Sequence, residues 1–217
     1  MNRQQPLFSI AAAPSRRSLD PSRWARGSLL TLAALGAVVL GIALGLMLTA
    51  AAVRSDAIGT RRIGPWRVFT DVGTPAIDPY LRARMALNGA VPLAAAQGLT
   101  AVAQRDSDGH GLDGRCSYRL SGTMPPAQFW TLEAANPAGR PFDNRAGRQS
   151  FASDDVLWDG SGQTVIALSP IATAGNWLPL PGSGPIAVVL RLYDTALTTG
   201  TAGREAAWPM IERLGCP

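Results

Sequence analysis

Residues 186–193 read IAVVLRLY, a short run in which apolar side chains, several of them β-branched, occupy almost every position. Such a run is typical of a strand that is buried on both faces in the middle of a sheet. Residues 116–120, CSYRL, instead alternate between apolar and polar side chains. That alternation predicts a strand with one buried face.

Further strands are predicted at 64–69, 99–104, 129–133, 164–168 and 210–214, separated by turns rich in Gly, Pro, Asn and Asp. One short helix is expected after Asp78, an N-cap residue followed by proline, and Asn88-Gly89 ends it. About seven or eight short strands and one helix predict a mainly β fold, namely a β-sandwich or jelly-roll-like domain.

Residues 28–53 form a 26-residue stretch without a charged side chain. A helix of that length reaches about 39 Å, which exceeds the roughly 30 Å hydrocarbon core of a bilayer. Trp24, Arg23 and Arg26 stand directly before it, as membrane boundaries favour. We therefore expect a single transmembrane helix that leaves the N-terminus in the cytoplasm. The alternative is a cleaved signal peptide, because Ala50-Ala51-Ala52 offers small residues at a cleavage spacing.

Small residues recur every four positions in this stretch, at Ala33, Ala37, Gly41 and Gly45. Small side chains on one helix face let another helix approach closely, so this face is a candidate for helix packing. The alternative is that Ala and Gly are simply abundant in the chain.

The charge is unevenly distributed along the chain. Residues 1–27 carry five Arg and one acidic residue, whereas the part after residue 53 carries 15 Arg and 14 acidic residues. We expect a disordered, basic, cytoplasmic tail at 1–27, a linker at 54–63 and the β domain at 64–217. Because the β domain is almost neutral, no basic stripe remains for a phosphate backbone, and nucleic-acid binding is not expected.

Cys116 and Cys216 both fall in the part that is expected to be exported. Disulfides persist in exported proteins, so a bond between the two is predicted, with two unpaired thiols as the alternative. One His and two Cys do not supply a His- or Cys-built zinc site. All 20 basic residues are Arg, which excludes Schiff-base chemistry on lysine.

Asp106, Asp108 and Asp113 lie in a Gly-rich turn, where carboxylates and backbone carbonyls are able to hold Ca²⁺. The spacing differs from that of an EF-hand, and the alternative is a hairpin in which Asp side chains cap turn amides. No other cofactor is expected. His110, the single histidine, stands in the same turn, and the chain has no Gly-x-Ser-x-Gly motif, so a Ser-His-Asp triad is not indicated.

Aromatic and arginine side chains are the candidate ligand contacts, because rings beside guanidinium groups suit sugars and anionic lipid head groups. The candidates are Asn176, Trp177, Trp130, Arg148, Arg191 and Tyr193. Residues 176–179, NWLP, are expected to be a loop between strands, where ligand contacts concentrate. The alternative is a core Trp with the Asn side chain bonded to the loop backbone.

Short motifs over about residues 64–214 resemble those of the bacterial family called domain of unknown function 1214, in particular its short, membrane-anchored form. In chain order they are GPW at 64–66, DPYLRA at 78–83, VPL at 91–93, DSDG at 106–109 with LDG at 112–114 and Tyr118, FWTL at 129–132, NWLP at 176–179 and LRLY at 190–193.

The resemblance implies a β-rich, jelly-roll-like fold. For the short form it also implies a partner, a separate membrane protein that carries domain of unknown function 1254. Longer relatives often have Tyr-Asp after the strand corresponding to residues 129–132, where this chain has Glu133-Ala134-Ala135. If that acidic turn serves a site in the relatives, this chain lacks it. The resemblance implies no established reaction.

Together these features predict a single-pass protein of the bacterial inner (cytoplasmic) membrane. Its periplasmic β domain would bind a partner protein or an envelope ligand without catalysis, and a homo-oligomer is a further expectation. The alternative is a carboxylate-dependent hydrolase or carbohydrate-processing domain, which needs two acidic side chains within about 10 Å of each other. Its candidates are Asp143, Asp154, Asp155, Asp159 and Asp194.

Overall fold

The computed structural model describes residues 21–55, 58–89, 92–198 and 206–217, with side chains from residue 29 onward. It divides into two compact units, Met1–Thr49 and Ala50–Pro217. Among the described residues, the first unit contains most of one long helix, and the second contains ten strands, a short helix and a 3-10 turn. The protein is thus mainly β, as the strand patterns predicted.

Helix α1 spans Pro21–Arg54, and its segment Leu29–Arg54 is long and apolar enough to cross a membrane. The side chains of residues 29–49 are exposed. The disorder predicted for residues 1–27 is wrong over 21–27, which form the first turns of α1. Pro21 suits the first helical position because its missing N–H needs no partner there. Residues 1–20 of that tail, and the side chains of Arg23, Trp24 and Arg26, lie outside the described residues.

Helix α2 spans Pro79–Asn88 and has the boundaries that its capping residues predict. The Asp78 carboxylate accepts hydrogen bonds from the backbone N–H groups of Tyr80 and Leu81, and Pro79 follows it. Gly89 ends the helix with a φ of 63°, a left-handed conformation that glycine adopts without strain.

The strands form two sheets. The six-stranded sheet has the order β1-β2-β3-β9-β5-β6, and all of its neighbouring strands are antiparallel. The four-stranded sheet has the order β10-β4-β7-β8, and only its β7–β8 pair is parallel. The strands are β1 (Arg61–Ile63), β2 (Trp66–Phe69), β3 (Gly98–Ala103), β4 (Ser117–Gly122), β5 (Phe129–Ala135), β6 (Ser150–Ala152), β7 (Thr164–Ser169), β8 (Asn176–Pro179), β9 (Ala187–Tyr193) and β10 (Met210–Gly215).

One buried cluster joins the inner faces of both sheets, which makes the second unit a β-sandwich. The six-stranded sheet contributes large side chains such as Trp66, Leu132 and Leu190, and the four-stranded sheet contributes Tyr118 and Ile166. Strand β9 lies between β3 and β5, the internal position that its apolar composition predicted.

Three elements differ from the sequence prediction. The last three residues of the predicted linker at 54–63 form β1, because Gly64-Pro65 turns the chain so that Ile63 pairs with Trp66. Strand β6 was not predicted, since it is three residues long and buries only Phe151. The expected loop at 176–179 is strand β8, an edge strand that has Pro179 as its last residue, where an edge tolerates proline.

Candidate functional site

Asn176 is buried, and its side-chain amide is fully engaged in holding the backbone of neighbouring elements. Its carbonyl oxygen accepts a hydrogen bond from Leu157 N at 2.7 Å. Its amide nitrogen donates to Leu157 O, Thr164 Oγ1 and Val165 O at 2.9–3.2 Å. The residue therefore fastens β8 to the segment before β7, which matches the structural alternative stated for it and not a ligand contact.

Trp177 and Arg148 lie together at the same edge of the four-stranded sheet. The Trp177 indole N–H donates to Ser169 O at 2.9 Å, and the Arg148 guanidinium donates to Trp177 O at 3.2 Å. Arg148 also lies 5.1 Å from the ring centre of Phe151, a cation–π distance. These contacts tie the edge strand to the loop before β6.

The other three aromatic and arginine candidates lie elsewhere. Trp130 is a core residue whose ring meets the half-exposed Trp158 edge-on, with 6.0 Å between centroids. Arg191 and Tyr193 stand at alternate positions of β9, on the face that points away from the core. The six ligand-contact candidates are thus divided among the core, one sheet edge and the outer face of the other sheet, and they do not line one cleft.

The three Asp residues proposed as Ca²⁺ ligands do not all lie together in the structure. Asp106, Asp108 and His110 each offer an atom within 4.8 Å of the others. Asp113 is instead bound to Arg115 by two side-chain contacts of 3.0–3.1 Å. The Arg115 guanidinium and backbone N–H hold the pKa of the Asp113 carboxyl below its ordinary value.

The buried member of this turn, Asp106, faces an arginine. Its Oδ2 lies 3.1 Å from Arg213 Nε, an ion-pair contact without hydrogen-bond geometry. Its Oδ1 accepts the backbone N–H of His110 at 2.8 Å. A guanidinium therefore already supplies positive charge at the buried carboxylate. Ca²⁺ binding by this turn stays a prediction.

Cys116 and Cys216 form a disulfide across 100 positions of sequence. It joins the start of β4 to the end of β10, two strands that are also paired in the four-stranded sheet. A crosslink that closes a loop of this length stabilises the folded state by up to about 4.7 kcal/mol.

A cleft of about 520 Å³ lies on the outer face of the six-stranded sheet. Its floor comes from β2, β3 and β9, and its rim from the C-terminal half of α2 and the turn at 137–140. Its volume falls within the range of about 300–1,000 Å³ that is usual for small-molecule sites.

The strand register places the floor residues in two rows. Arg67 pairs with Val102, and Val102 pairs with Val189 on the next strand. In the neighbouring row, Phe69 pairs with Thr100 and Thr100 with Arg191. The first row therefore combines two valines with Arg67, and the second combines one apolar side chain, Phe69, with Thr100 and Arg191.

Four arginines from four different elements line the cleft: Arg67 on β2, Arg84 on α2, Arg140 in the 137–140 turn and Arg191 on β9. Arg191 pairs with Glu133 at 2.5 Å, and Arg67 donates to Gln104 Oε1 at 3.3 Å. Arg84 donates to the carbonyl oxygens of Ser55 and Ile58. Among the described residues that line the cleft, none is Asp or Glu, so the carboxylate pair of a glycosidase is not found in that lining.

Of these four arginines, the sequence analysis named only Arg191. One signal was present, because the outward positions 187 and 189 of β9 are apolar as well as its inward ones, which indicates a strand covered on both faces there. Arg67 and Arg140 line the cleft because of the order of the strands in the sheet. A local sequence pattern does not reveal that order.

Comparison with protein families bears on the resemblance noted in the sequence. Residues 97–197 match the model of a family described as "Protein of unknown function (DUF1214)". The resemblance is thereby confirmed. The DUF1214 match covers strands β3 to β9 and leaves β1, β2, α2 and β10 outside, so it includes only part of the cleft lining.

Solved structures supply a likeness of fold. The VPA0106 protein from Vibrio parahaemolyticus is similar with 23% sequence identity and a TM-score of 0.51, over 63% of this chain and 35% of that one. An uncharacterized protein from Burkholderia cenocepacia is similar with 19% identity and a TM-score of 0.38, over 55% of this chain and 30% of that one. This chain thus spans about a third of the length of either protein. A comparison with curated proteins returned no match.

Proposed function

We propose that this protein is a membrane-anchored binding protein of the bacterial cell envelope, and that the cleft on its β-sandwich takes a ligand without transforming it. The observation that carries the proposal is the cleft itself, which combines four arginines, an apolar floor and, among its described lining residues, no carboxylate. A site of that composition suits binding, because general acid–base chemistry needs a group that gives up or takes a proton near neutral pH. Arginine stays protonated there.

The anchor in this proposal is helix α1, which stays attached and spans the inner membrane once. Its support is the uncharged stretch at 28–53, which is much longer than the 7–15 residues usual for the apolar region of a signal peptide. Five arginines precede the stretch, which favours a cytoplasmic N-terminus and a periplasmic β domain. The Cys116–Cys216 disulfide also suits an oxidising compartment.

A second membrane protein is proposed as the partner of the helix. The support is the face formed by Ala33, Ala37, Gly41 and Gly45, which is exposed in the structure. Apart from the adjacent residues and the backbone of the helix itself, no heavy atom of the described residues lies within 4 Å of a Cβ built on Gly41 or Gly45, so the face has room for another helix. Two occupants follow from the sequence analysis: a protein that carries domain of unknown function 1254, and a second copy of this chain.

The proposal is tested by native mass spectrometry of the full-length protein, extracted gently from its own membrane. We expect an intact chain that retains its first 53 residues, together with a small bound mass, a second protein or both. A chain that begins after residue 50 contradicts the anchor, because it identifies α1 as a cleaved signal. An intact chain that never retains a small molecule or a partner contradicts the binding function.

A further inference from the structure

We propose that the ligand of the cleft is an anionic amphiphile, that is, a molecule with a phosphate or carboxylate group attached to a short aliphatic chain. This inference rests on the proposed function, since it names the chemical class of ligand for the same site. Three features carry it: the arginines, the apolar floor between them, and the guanidinium of Arg140 at the rim.

The arginines determine the sign of the charge. Four guanidinium groups from four elements line one cleft whose described lining holds no acidic side chain. Guanidinium groups bind phosphate and carboxylate groups through paired N–H donors, and they are weakly hydrated, so they pair readily with anions at partly buried sites. A cationic ligand would be repelled by the exposed Arg140 guanidinium, whereas an anionic group would pair with it.

Arg140 is the arginine best placed to receive the anion. Its side chain is exposed at the cleft rim, and within the described part of the chain its guanidinium makes no hydrogen bond or ion pair. Asn136 Oδ1 accepts hydrogen bonds from the backbone N–H groups of Arg140 and Ala138, both at 3.0 Å, and so holds the turn. A fixed backbone thus presents an unengaged guanidinium.

The floor determines the rest of the ligand. The floor and rim present Phe69, Met85, Val102 and Val189, and Val102 and Val189 lie side by side in one row. Outward positions of an antiparallel sheet are usually polar when that face meets water. Val102 is partly exposed at this floor, so an apolar ligand part would cover it, whereas Val189 beside it is already buried.

Arg191 is held in place for this role by its own sheet. Its pairing with Glu133 on β5 fixes the guanidinium at the edge of the floor. Both side chains are partly buried, so solvent screens the attraction between their charges less than it would at the surface. Glu133 therefore balances the charge of Arg191, and Arg140 supplies the guanidinium that makes no hydrogen bond or ion pair within the described residues.

The test uses the full-length protein in nanodiscs of phosphatidylcholine, with hexyl phosphate as the probe and isothermal titration calorimetry as the readout. Empty nanodiscs give the contribution of partitioning into lipid. Three comparison probes separate the two halves of the ligand: inorganic phosphate has the charge alone, hexanol has the chain alone, and hexylammonium has the chain with the opposite charge. We expect saturable binding of hexyl phosphate only.

Two variants and two matched controls locate the site. Arg140→Gln should weaken hexyl phosphate binding by about three- to tenfold, as loss of a charged hydrogen-bond donor at a rim predicts. Val102→Trp fills the floor and should abolish binding. Arg145→Gln removes an equally exposed arginine five positions away, and Val165→Trp enlarges an exposed valine on β7 outside the cleft. Both controls should bind like the unchanged protein.

Several results would overturn the inference. Equal binding of hexanol or hexylammonium would remove the anionic requirement, and equal binding of inorganic phosphate would remove the apolar one. Binding that survives Arg140→Gln at full strength would place the probe elsewhere, and this variant does not threaten the fold because its side chain is exposed. A neutral bound mass in native mass spectrometry, without hexyl phosphate binding, would overturn the ligand class and leave the binding function standing.

One further experiment distinguishes two sources of the ligand, namely the surrounding lipid and a free amphiphile. In nanodiscs that contain phosphatidylglycerol, loss of hexyl phosphate binding identifies the head groups of the surrounding lipid as competitors for the cleft. Unchanged binding identifies a free amphiphile as the ligand. Either result supports the anionic class.

Discussion

Asp106 Oδ2 lies 3.1 Å from Arg213 Nε, and this contact joins the loop after β3 to strand β10, more than one hundred positions later in the chain. The Asp106 side chain is fully buried, and that of Arg213 is 29% exposed. Arg213 also donates to Gly111 O and lies over the ring of Tyr118. The pair therefore stabilises the end of the sandwich through contacts that only the folded chain brings together.

Removing the arginine should cost stability, because it leaves a buried carboxylate without a counter-charge. Arg213→Met is expected to lower the free energy of unfolding by about 2–3 kcal/mol, at the lower end for buried pairs because Arg213 is partly exposed. Arg119→Met is the matched control, since Arg119 pairs with Glu212 at 3.4 Å and both side chains are about half exposed. It should cost less than about 0.5 kcal/mol. Equal losses in denaturant unfolding would contradict the special role of the buried pair.

Asn176→Ala tests whether the Asn-Trp-Leu-Pro motif serves the fold. The change removes four hydrogen bonds of a buried amide, so we expect a loss of about 2–3 kcal/mol in the free energy of unfolding. Hexyl phosphate affinity should stay unchanged below the melting temperature, because Asn176 does not line the cleft. Weaker probe binding with unchanged stability would indicate a ligand contact instead.

Asp159 should make stability depend on pH. The Ser161 hydroxyl, and the backbone N–H groups of Gln163 and Ser161, hold the pKa of its carboxyl below the ordinary value. A carboxyl with a lowered folded pKa contributes stability above the unfolded pKa of about 3.9, and loses it as pH falls through the folded value. Asp159→Ala should therefore lower the melting temperature at pH 7 and have a smaller effect near pH 3. Equal losses of melting temperature at pH 7 and near pH 3 would contradict this prediction.

The small-residue face of α1 is tested by Gly41→Leu combined with Gly45→Leu. The two leucines would hold a neighbouring helix away, so the complex that we expect after gentle extraction should be lost. Gly36→Leu is the control, because Gly36 is equally open but lies outside the four-residue repeat. Association that survives the double variant would show that the β domain, or another helix face, makes the contact.

Much of the fold is predictable because its signals are local. The Asp78-Pro79 start and Gly89 end of α2, the alternation of β4 and the apolar run of β9 each depend on neighbouring residues only. The motifs of the resemblance are also mainly structural. Trp66 of GPW donates to Pro209 O at 2.7 Å from within the core, and Tyr118 binds Asp113 N at 2.8 Å through its hydroxyl oxygen.

The candidate site was not predictable for the opposite reason. Arg67 and Arg191 are separated by more than 120 positions of sequence and meet only because β2, β3 and β9 are neighbours in one sheet. Asp106 and Arg213 are also far apart in sequence, and they meet because the loop after β3 packs against β10 of the other sheet. Local patterns assign residues to strands and faces, whereas the order of strands decides which outward side chains share a surface.

The Cys116–Cys216 bond gives the sandwich the covalent topology of a closed ring, since every residue from β4 to β10 lies between its two ends. A protease that cuts one peptide bond inside this ring opens it without releasing either piece. The nicked protein keeps its mass, apart from one added water, and migrates as one species until a reductant separates the fragments. In an oxidising compartment, a cut of this kind would therefore leave the two fragments linked, and the cut strands would stay paired with their partners.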